Sequence, residues 1–493
     1  MRALATLVAL LAAAALGPIS ARADEVYLQA PGPYGLAYVG LYYGLADPAD
    51  GTWYVGSDFL GWPSKSWMAA ADTGSSACLL GKTTQDAYVA WDGSGIPLQP
   101  YPAVEFVDEG FGGSTSFAVT EPVRLLIADF KAANEAPDPE DPALYAAYGP
   151  VGAPPPPSVK MAAARELIGG GGLLEMDFDI IGMSAMEGQL LHVDPQYLEL
   201  LRWAYLVMAG SLDDPPPSPN DLRALYLPVT LHNFFDTPQN ADVGRSPMLP
   251  VHVRKDSSDP YATRTALFDT GAGSNFISES FATEAGIDLN AAPDLTIELI
   301  GIGSGTVVLP GWYVDALALD LGNSRQGDRL IITNTAVFVM PDEDMPGDLE
   351  AILGNALFSH GQDEFGIPWE TSVVEWYVDT RDGQNACLIV IMPDPIPIKG
   401  DTQPDGCVDG LDYNKWSLNY LAQPVPGWSE GGYTVANFNE DDIVDGLDYN
   451  HWSLNYGRGC GAGGEVPEPA CLFLILLASP AIRRRPTRRA RLT

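Results

Sequence analysis

The tripeptide Asp-Thr-Gly occurs twice in this chain, at Asp72-Thr73-Gly74 and Asp269-Thr270-Gly271, each time after small or apolar residues and before small polar ones. A single copy is a common way to make a turn. Two copies in matching contexts demand more of a fold, because they supply two carboxylates that a duplicated architecture can bring together to share one proton.

Composition sets the compartment and excludes some partners. At 493 residues the chain is too long for one hydrophobic core, so two or more domains are expected. With 64 acidic against 26 basic residues the formal charge is −38, which repels nucleic acid and anionic lipid, and no nucleic-acid partner is expected. Residues 1–23 combine Arg2, an apolar run from Leu7 to Leu16 and the ending Ala21-Arg22-Ala23, the pattern of a secretory signal peptide. An exported protein can oxidise Cys78, Cys387, Cys407, Cys460 and Cys471, but their pairing is not set by spacing.

Residues 465–493 place Val466-Pro467-Glu468-Pro469-Ala470 before an apolar stretch from Cys471 to Ile482 and a cluster of arginines beginning at Arg483. This order resembles the PEP-CTERM sorting signal of bacterial envelope proteins. The apolar stretch falls short of the ~20 residues of a spanning helix, so engagement by membrane sorting machinery and removal of the tail are expected. A plain tail anchor is the alternative. The resemblance implies a bacterial source and a secreted or envelope-associated protein.

Between these ends, proline-rich runs divide the chain. Residues 24–212 and 221–395 form two halves joined by a linker at 213–220, which contains Pro215-Pro216-Pro217. Pro154 to Pro157 and Gly169 to Gly172 mark residues 133–172 as an exposed insertion. Short runs such as Leu225 to Leu231, Leu330 to Met340 and Val373 to Val378 give a mainly β reading. A helix is expected from Pro195 to Met208, where Leu198, Leu201, Tyr205 and Met208 recur at helical spacing.

The halves compare as imperfect repeats. In the first, Asp72 is followed by Glu109-Gly110-Phe111-Gly112-Gly113-Ser114 between strand-like runs, and then by Ile180-Ile181-Gly182. In the second, Asp269 is followed by Gly301-Ile302-Gly303-Ser304-Gly305 and then by Ile352-Leu353-Gly354. This repeated order resembles the bilobed pepsin-like and retropepsin-like aspartic proteases, over roughly Val26 to Met392. The resemblance implies a bilobed pepsin-like fold in which Asp72 and Asp269 are the catalytic pair. Thr73 and Thr270 would brace the loops across the lobe interface, and Gly74 and Gly271 would let backbone approach the carboxylates. Phe111, Gly112 and Gly113 would form the flap over a peptide or protein substrate.

Two close carboxyls hold one proton between them, so one acts as base towards a water and the other as acid towards the scissile carbonyl. No cofactor is expected for catalysis. Two departures from the family bear on activity. Ser75 follows the first triplet, where its hydroxyl is expected to donate to Asp72, whereas Ala272 follows the second and cannot donate. Loss of that donor is expected to destabilise ionised Asp269 and to move optimal activity to weaker acid than in pepsin. Phe111 stands where the family usually has tyrosine, which removes a hydroxyl from the flap.

Residues 399–458 carry a second signal. Asp401, Gln403, Asp405, Asp409 and Asp412 occupy positions 1, 3, 5, 9 and 12 of a calcium loop, with the carbonyl of Cys407 at position 7. Asn437, Asn439, Asp441, Asp445 and Asp448, with the carbonyl of Ile443, repeat the set 36 positions on, counting 437 − 401. Nearly identical helices, Leu411 to Tyr420 and Leu447 to Tyr456, are expected to follow the loops. The duplication resembles a type I dockerin, a small α module, and implies two bound Ca²⁺ and a cohesin-like partner. The second loop has Asn437 for aspartate and Asp442 for the usual turn glycine, so weaker binding is expected there. Cys407 and Cys460 bracket the module, where a bridge would staple its ends.

Three functions follow as alternatives. The first is a secreted aspartic endopeptidase with a calcium-dependent docking module. The second is a non-catalytic envelope binding protein that retains the fold, and the third is a scaffold whose task is dockerin-mediated assembly.

Overall fold

The computed structural model describes residues 25–30, 34–35, 39–57, 63–65, 67–92, 95–110, 113–128, 145–148, 158–165, 179–195, 208–211, 221–300, 306–325, 328–359, 361–362, 368–369, 371–393, 398–426, 432–439, 441–458 and 460. The chain separates into two compact units, 1–396 and 397–493. The signal segment, the Pro-Glu-Pro tail, the 213–220 linker and both flap-tip residues Phe111 and Gly112 lie outside the described residues.

The first unit is mainly β with few helices. Its two Asp-Thr-Gly loops sit in copies of one arrangement. In the first half, the strand Trp67–Ala71 runs into Asp72, and Asp179–Ile181 lies parallel to it while also pairing antiparallel with Leu79–Leu80. In the second half, Ala262–Asp269 ends at the equivalent aspartate, with Ala351–Gly354 parallel to it and antiparallel to Phe276–Ser278. Ala69, Ala70 and Ala71 are buried, and small side chains allow this strand to be covered on both faces. Each half also carries a hairpin: Glu105–Gly110 with Gly113–Val119, and Leu295–Ile300 with Thr306–Asp320.

A shared sheet joins the halves. Ala224–Pro228, Cys387–Ile391 and Glu375–Asp379 from the second half continue through Leu190–Asp194, Met208–Ser211 and Val39–Ala46 from the first. The contact between Leu190–Asp194 and Glu375–Asp379 therefore links residues about as far apart in sequence as the two triplets. Behind the Asp269 loop, buried Phe268 meets Trp376 edge to face at 5.7 Å and Phe358 at 6.1 Å. Aromatic pairs of this kind add about 0.5–1.5 kcal/mol each beyond area burial.

Two sequence expectations need correction. Within the stretch read as an exposed insertion, Tyr145–Tyr148 pairs with Arg124–Ala128, and Val159, Met161, Ala162, Ala163 and Ala164 are fully buried core residues. The proline and glycine runs flank a short apolar strand whose signal they mask. Of the expected helix from Pro195 to Met208, residues 196–207 lie outside the described residues, and Met208 itself begins a strand that pairs with Leu190–Asp194 and Val39–Ala46. Pairing on both edges overrides local helical periodicity there.

The second unit is a tandem pair of loop-and-helix repeats. Helices Gly410–Asn419 and Gly446–Asn455 each begin with a capping box, Asp409 with Asp412 and Asp445 with Asp448. The repeats exchange contacts. Val408 pairs through its backbone with Gly457 and Arg458 after the second helix, while Val444 pairs with Leu421 and Ala422 after the first. The Trp416 indole donates to the Asp445 carbonyl and the Trp452 indole to the Asp409 carbonyl, both at 2.8 Å. A Cys407–Cys460 disulfide closes the unit.

Candidate active site and calcium-loop module

The structure brings together the two aspartate loops, 197 residues apart, through a reciprocal set of threonine hydrogen bonds. Thr73 Oγ1 donates to the Phe268 carbonyl at 2.7 Å and accepts from the Thr270 amide at 3.0 Å. Thr270 Oγ1 donates to the Ala71 carbonyl at 2.6 Å and accepts from the Thr73 amide at 3.0 Å. Both threonines are buried, so no water competes for these groups.

The carboxyls meet over the glycines. A Cβ on Gly74 would fall 2.5 Å from the Asp269 carboxyl carbon, and one on Gly271 would fall 2.5 Å from that of Asp72. Only hydrogen fits at either place. The Asp72 carboxylate accepts from the amides of Gly74 and Ser75, both at 2.9 Å, and Asp269 accepts from the Gly271 amide at 2.8 Å. Beneath each loop the apolar-apolar-Gly strand makes an equally close approach. A Cβ on Gly182 would lie 2.1 Å from the Ala77 carbonyl oxygen, and one on Gly354 would lie 2.4 Å from that of Ser274.

The two carboxyl groups act on one another's titration, and the acids are unequal. Burial raises both above the usual carboxylate range. Asp269 is pushed well up by burial, by the charge of Asp72 and by donating the shared proton to it, against the opposing pull of the Gly271 and Ala272 amides. On Asp72 the hydrogen bond from Asp269 and the Ser75 and Gly74 amides oppose the effect of burial. Both residues are half-buried overall, with protein crowding their carboxyls. Asp269 is the more strongly raised of the two, and the pair holds one proton between its members over a wide pH range.

The expected role of Ser75 is corrected. Its hydroxyl donates to the Ala77 carbonyl at 2.9 Å, and Ser75 reaches Asp72 through its backbone amide alone. The inequality of the acids therefore does not come from serine against alanine. The opposite effect each acid has on the other, raising Asp269 and lowering Asp72, produces it.

Three supporting residues escaped the sequence reading. Buried Asp179 accepts from Tyr43 Oη at 2.6 Å, Thr84 Oγ1 at 2.8 Å and the Gly81 amide at 2.7 Å, which ties the strand beneath Asp72 to its surroundings. Asn355 Nδ2 donates to the Thr270 carbonyl at 2.9 Å, and Asn275 Oδ1 accepts from the Gly354 amide at 3.2 Å. Asp179 and Asn355 adjoin the two apolar-apolar-Gly strands, and that adjacency is the available signal. Of the flap triplet, Gly113 pairs with Gly110 in the hairpin.

In the second unit, Asp401, Asp412, Asn437 and Asp448 are buried at the first and last positions of the loops. Asp401 Oδ1 and Oδ2 accept from the Gln403 and Gly406 amides at 3.0 and 2.8 Å, and Gly406 takes φ +81°. Burial pushes the Asp401 carboxyl up to about 6 and raises those of Asp412 and Asp448. Asp405, Asp409, Asn439, Asp441 and Asp445 accept from backbone amides of their own loops, which fixes the loop shape. Gln403 is exposed, and Cys407 and Ile443 are half-buried. Among the described residues no three His, Cys, Asp or Glu side chains are gathered tightly enough to hold a metal by themselves. Asn437 is informative here. Its Nδ2 donates to the Pro426 and Asp441 carbonyls at 2.7 and 2.6 Å, while its buried Oδ1 has no donor. A buried acceptor without a donor beside Asp441 and Asp448 suits a hard cation bound by oxygen.

No family model matches this chain, and no curated protein matches it. Among solved structures, an aspartic proteinase from Irpex lacteus aligns at 12% identity over 73% of this chain and 96% of its own, with a TM-score of 0.34. Conglutin gamma, a basic 7S globulin from lupine seeds, aligns at 11% identity over the same shares with the same score. Scores this low carry no weight beside the carboxyl geometry.

Proposed function

We propose that the first unit is a bilobed, pepsin-like aspartic endopeptidase that hydrolyses peptide bonds with Asp72 and Asp269. One observation carries this reading: two acids from duplicated loops come together, each carboxyl lying against the other loop's glycine. Asp72, ionised, is placed to take a proton from a water positioned between the acids. Asp269, protonated, is placed to donate to the carbonyl oxygen as that water attacks the carbon. The tetrahedral intermediate collapses as the amine leaves with a proton, and no acyl-enzyme forms. Thr73 and Thr270 contribute by holding the acids in register, since misplacement by ~1 Å can cost ~10²-fold in rate.

The second unit is proposed as a calcium-dependent docking module. Asp401, Gln403, Asp405, Asp409, Asp412 and the Cys407 carbonyl would hold one ion. Asn437, Asn439, Asp441, Asp445, Asp448 and the Ile443 carbonyl would hold the other. Bound Ca²⁺ supplies the positive charge that offsets crowded acids and gives the Asn437 oxygen a partner. Export through the 1–23 segment, membrane sorting of the 465–493 tail and capture by a cohesin-like partner belong to the same reading.

The test is cleavage of a mixed peptide library by the full chain, with Asp72→Asn and Asp269→Asn alongside. Each variant is expected to lose ~10²-fold or more of the activity. Undiminished cleavage by either variant refutes the mechanism.

A further inference from the structure

The segment 233–245 belongs in sequence to the second half, yet it is bound to the first. Its hydrogen bonds reach three places around the Asp72 loop. The Gly244 amide donates to the Ser76 carbonyl at 2.8 Å, four residues past Asp72, and a Cβ on Gly244 would lie 2.3 Å from the Met183 carbonyl oxygen. Asp242 and Lys160 bond reciprocally, Asp242 N to the Lys160 carbonyl at 3.0 Å and Lys160 N to Asp242 Oδ2 at 2.7 Å. Asn240 Nδ2 donates to the carbonyl of Glu105, the first residue of the hairpin that carries the flap, at 2.8 Å. Behind these contacts Arg245 is anchored on the buried carboxylate of Glu187, its amide donating at 2.6 Å and its Nε at 2.7 Å.

The segment also packs. Phe235, Ala241 and Val243 join the apolar cluster made by Leu79, Phe106, Phe117, Val119 and Ile180. Phe235 stands 5.6 Å from Phe106, whose ring is 6.3 Å from Phe117. Phe106 is thereby held fully buried on the inner face of the hairpin. A narrow cavity remains between Ser75 and Ala77 of the Asp72 loop and Phe106 and Phe117 of the hairpin, with Ile180 at its floor. It leaves about 10 Å³ for the centre of a water molecule, roughly the room of a single water. A leucine or phenylalanine side chain does not fit unless Phe106 moves, and Phe235 packs on Phe106 while Asn240 ties down the carbonyl of Glu105 beside it.

We infer that the 233–245 segment is a specificity-determining arm, which restricts the subsite beside Asp72 to small side chains and so directs the enzyme to peptides with Gly, Ala or Ser next to the scissile bond. The inference rests on the hydrolase reading of the Asp pair. It concerns Phe235 and Asn240 as positioning residues, since each acts through Phe106 and the hairpin.

The test uses the full chain and two statine-type inhibitors that differ only in the side chain entering this subsite, one methyl and one isobutyl. Affinities are measured by calorimetry, and cleavage sites in a mixed peptide library are read by mass spectrometry. Wild type is expected to bind the methyl compound at least tenfold tighter, a difference within the range for a few methylenes in an apolar pocket. Phe235→Ala is expected to erase or reverse that preference and to add Leu at the corresponding position of cleaved peptides. Asn240→Ala, at an exposed position, is expected to move the preference in the same direction and serves if Phe235→Ala does not fold. Equal or tighter binding of the isobutyl compound by wild type overturns the inference, as does an unchanged preference in a folded variant. Binding with the expected preference but without cleavage refutes hydrolysis and leaves the arm standing. Binding of neither compound by folded wild type refutes both.

Discussion

Replacement of Thr73 by valine tests how the two halves are held in register. Valine keeps the β-branched shape but removes the hydroxyl, which both donates to the Phe268 carbonyl at 2.7 Å and accepts from the Thr270 amide at 3.0 Å. The amide becomes a buried donor without a partner, at about 1–3 kcal/mol, and the carbonyl loses a hydrogen bond of net worth about 0.5–1.5 kcal/mol. Together these give a destabilisation of about 2–4 kcal/mol, a large part of the 5–15 kcal/mol typical of folded domains. Thr73→Ser keeps both hydrogen bonds and loses one buried methyl, at about 1 kcal/mol. Thermal unfolding of the full chain should therefore rank wild type, Thr73→Ser and Thr73→Val in descending order, with the larger gap at the last step. Activity should fall in the same order, by ~10²-fold for valine, because the acids lose their mutual placement. A Thr73→Val protein as stable and as active as Thr73→Ser would refute the reasoning, since it would show that the hydroxyl network contributes nothing beyond packing.

Three further outcomes are expected. Because the Asp269 carboxyl is raised in the folded state, the unfolded chain ionises first, so the native form loses stability as pH rises above about 3.8 towards the folded value. Asp269→Asn should consequently unfold at a higher temperature than wild type at pH 7 and show no such advantage at pH 3, and an equal gain at both values would count against a raised acid. Gly271→Ala places a methyl 2.5 Å from the Asp72 carboxyl carbon, so hydrolysis should drop by ~10²-fold or more as the acids part, and near-normal turnover would show that they do not need this approach. For the second unit, calorimetry should count two Ca²⁺ per chain, and saturation at 100 times Kd should stabilise each site by about 2.7 kcal/mol. Asp448→Ala should remove one ion, and a count still at two would refute the loop assignment.

The residues of the candidate site were largely legible in the sequence because their chemistry is local. A turn that carries a carboxylate beside glycine reads the same in a string as in a fold, and its duplication with an apolar-apolar-Gly run pointed to paired loops. The oxygen-rich loops and the helices after them were equally plain, since a helix start and a loop of repeated acids are short-range objects. Less legible were effects that depend on which partner is nearest. Ser75 looked like a donor to Asp72, and only the fold shows the Ala77 carbonyl taking its hydrogen. Met208 looked helical, yet it opens a strand and pairs with Val39.

What the chain determined by itself was the inventory: two acids, two glycines small enough to let them approach, and two oxygen-rich loops in tandem. The tertiary structure decided which groups compete for each hydrogen. Both acids are raised by burial, and Asp269 further by the neighbouring charge, properties of distance in space that residue spacing does not encode. The same holds for the 233–245 arm, whose sequence places it in one half and whose hydrogen bonds place it against the other.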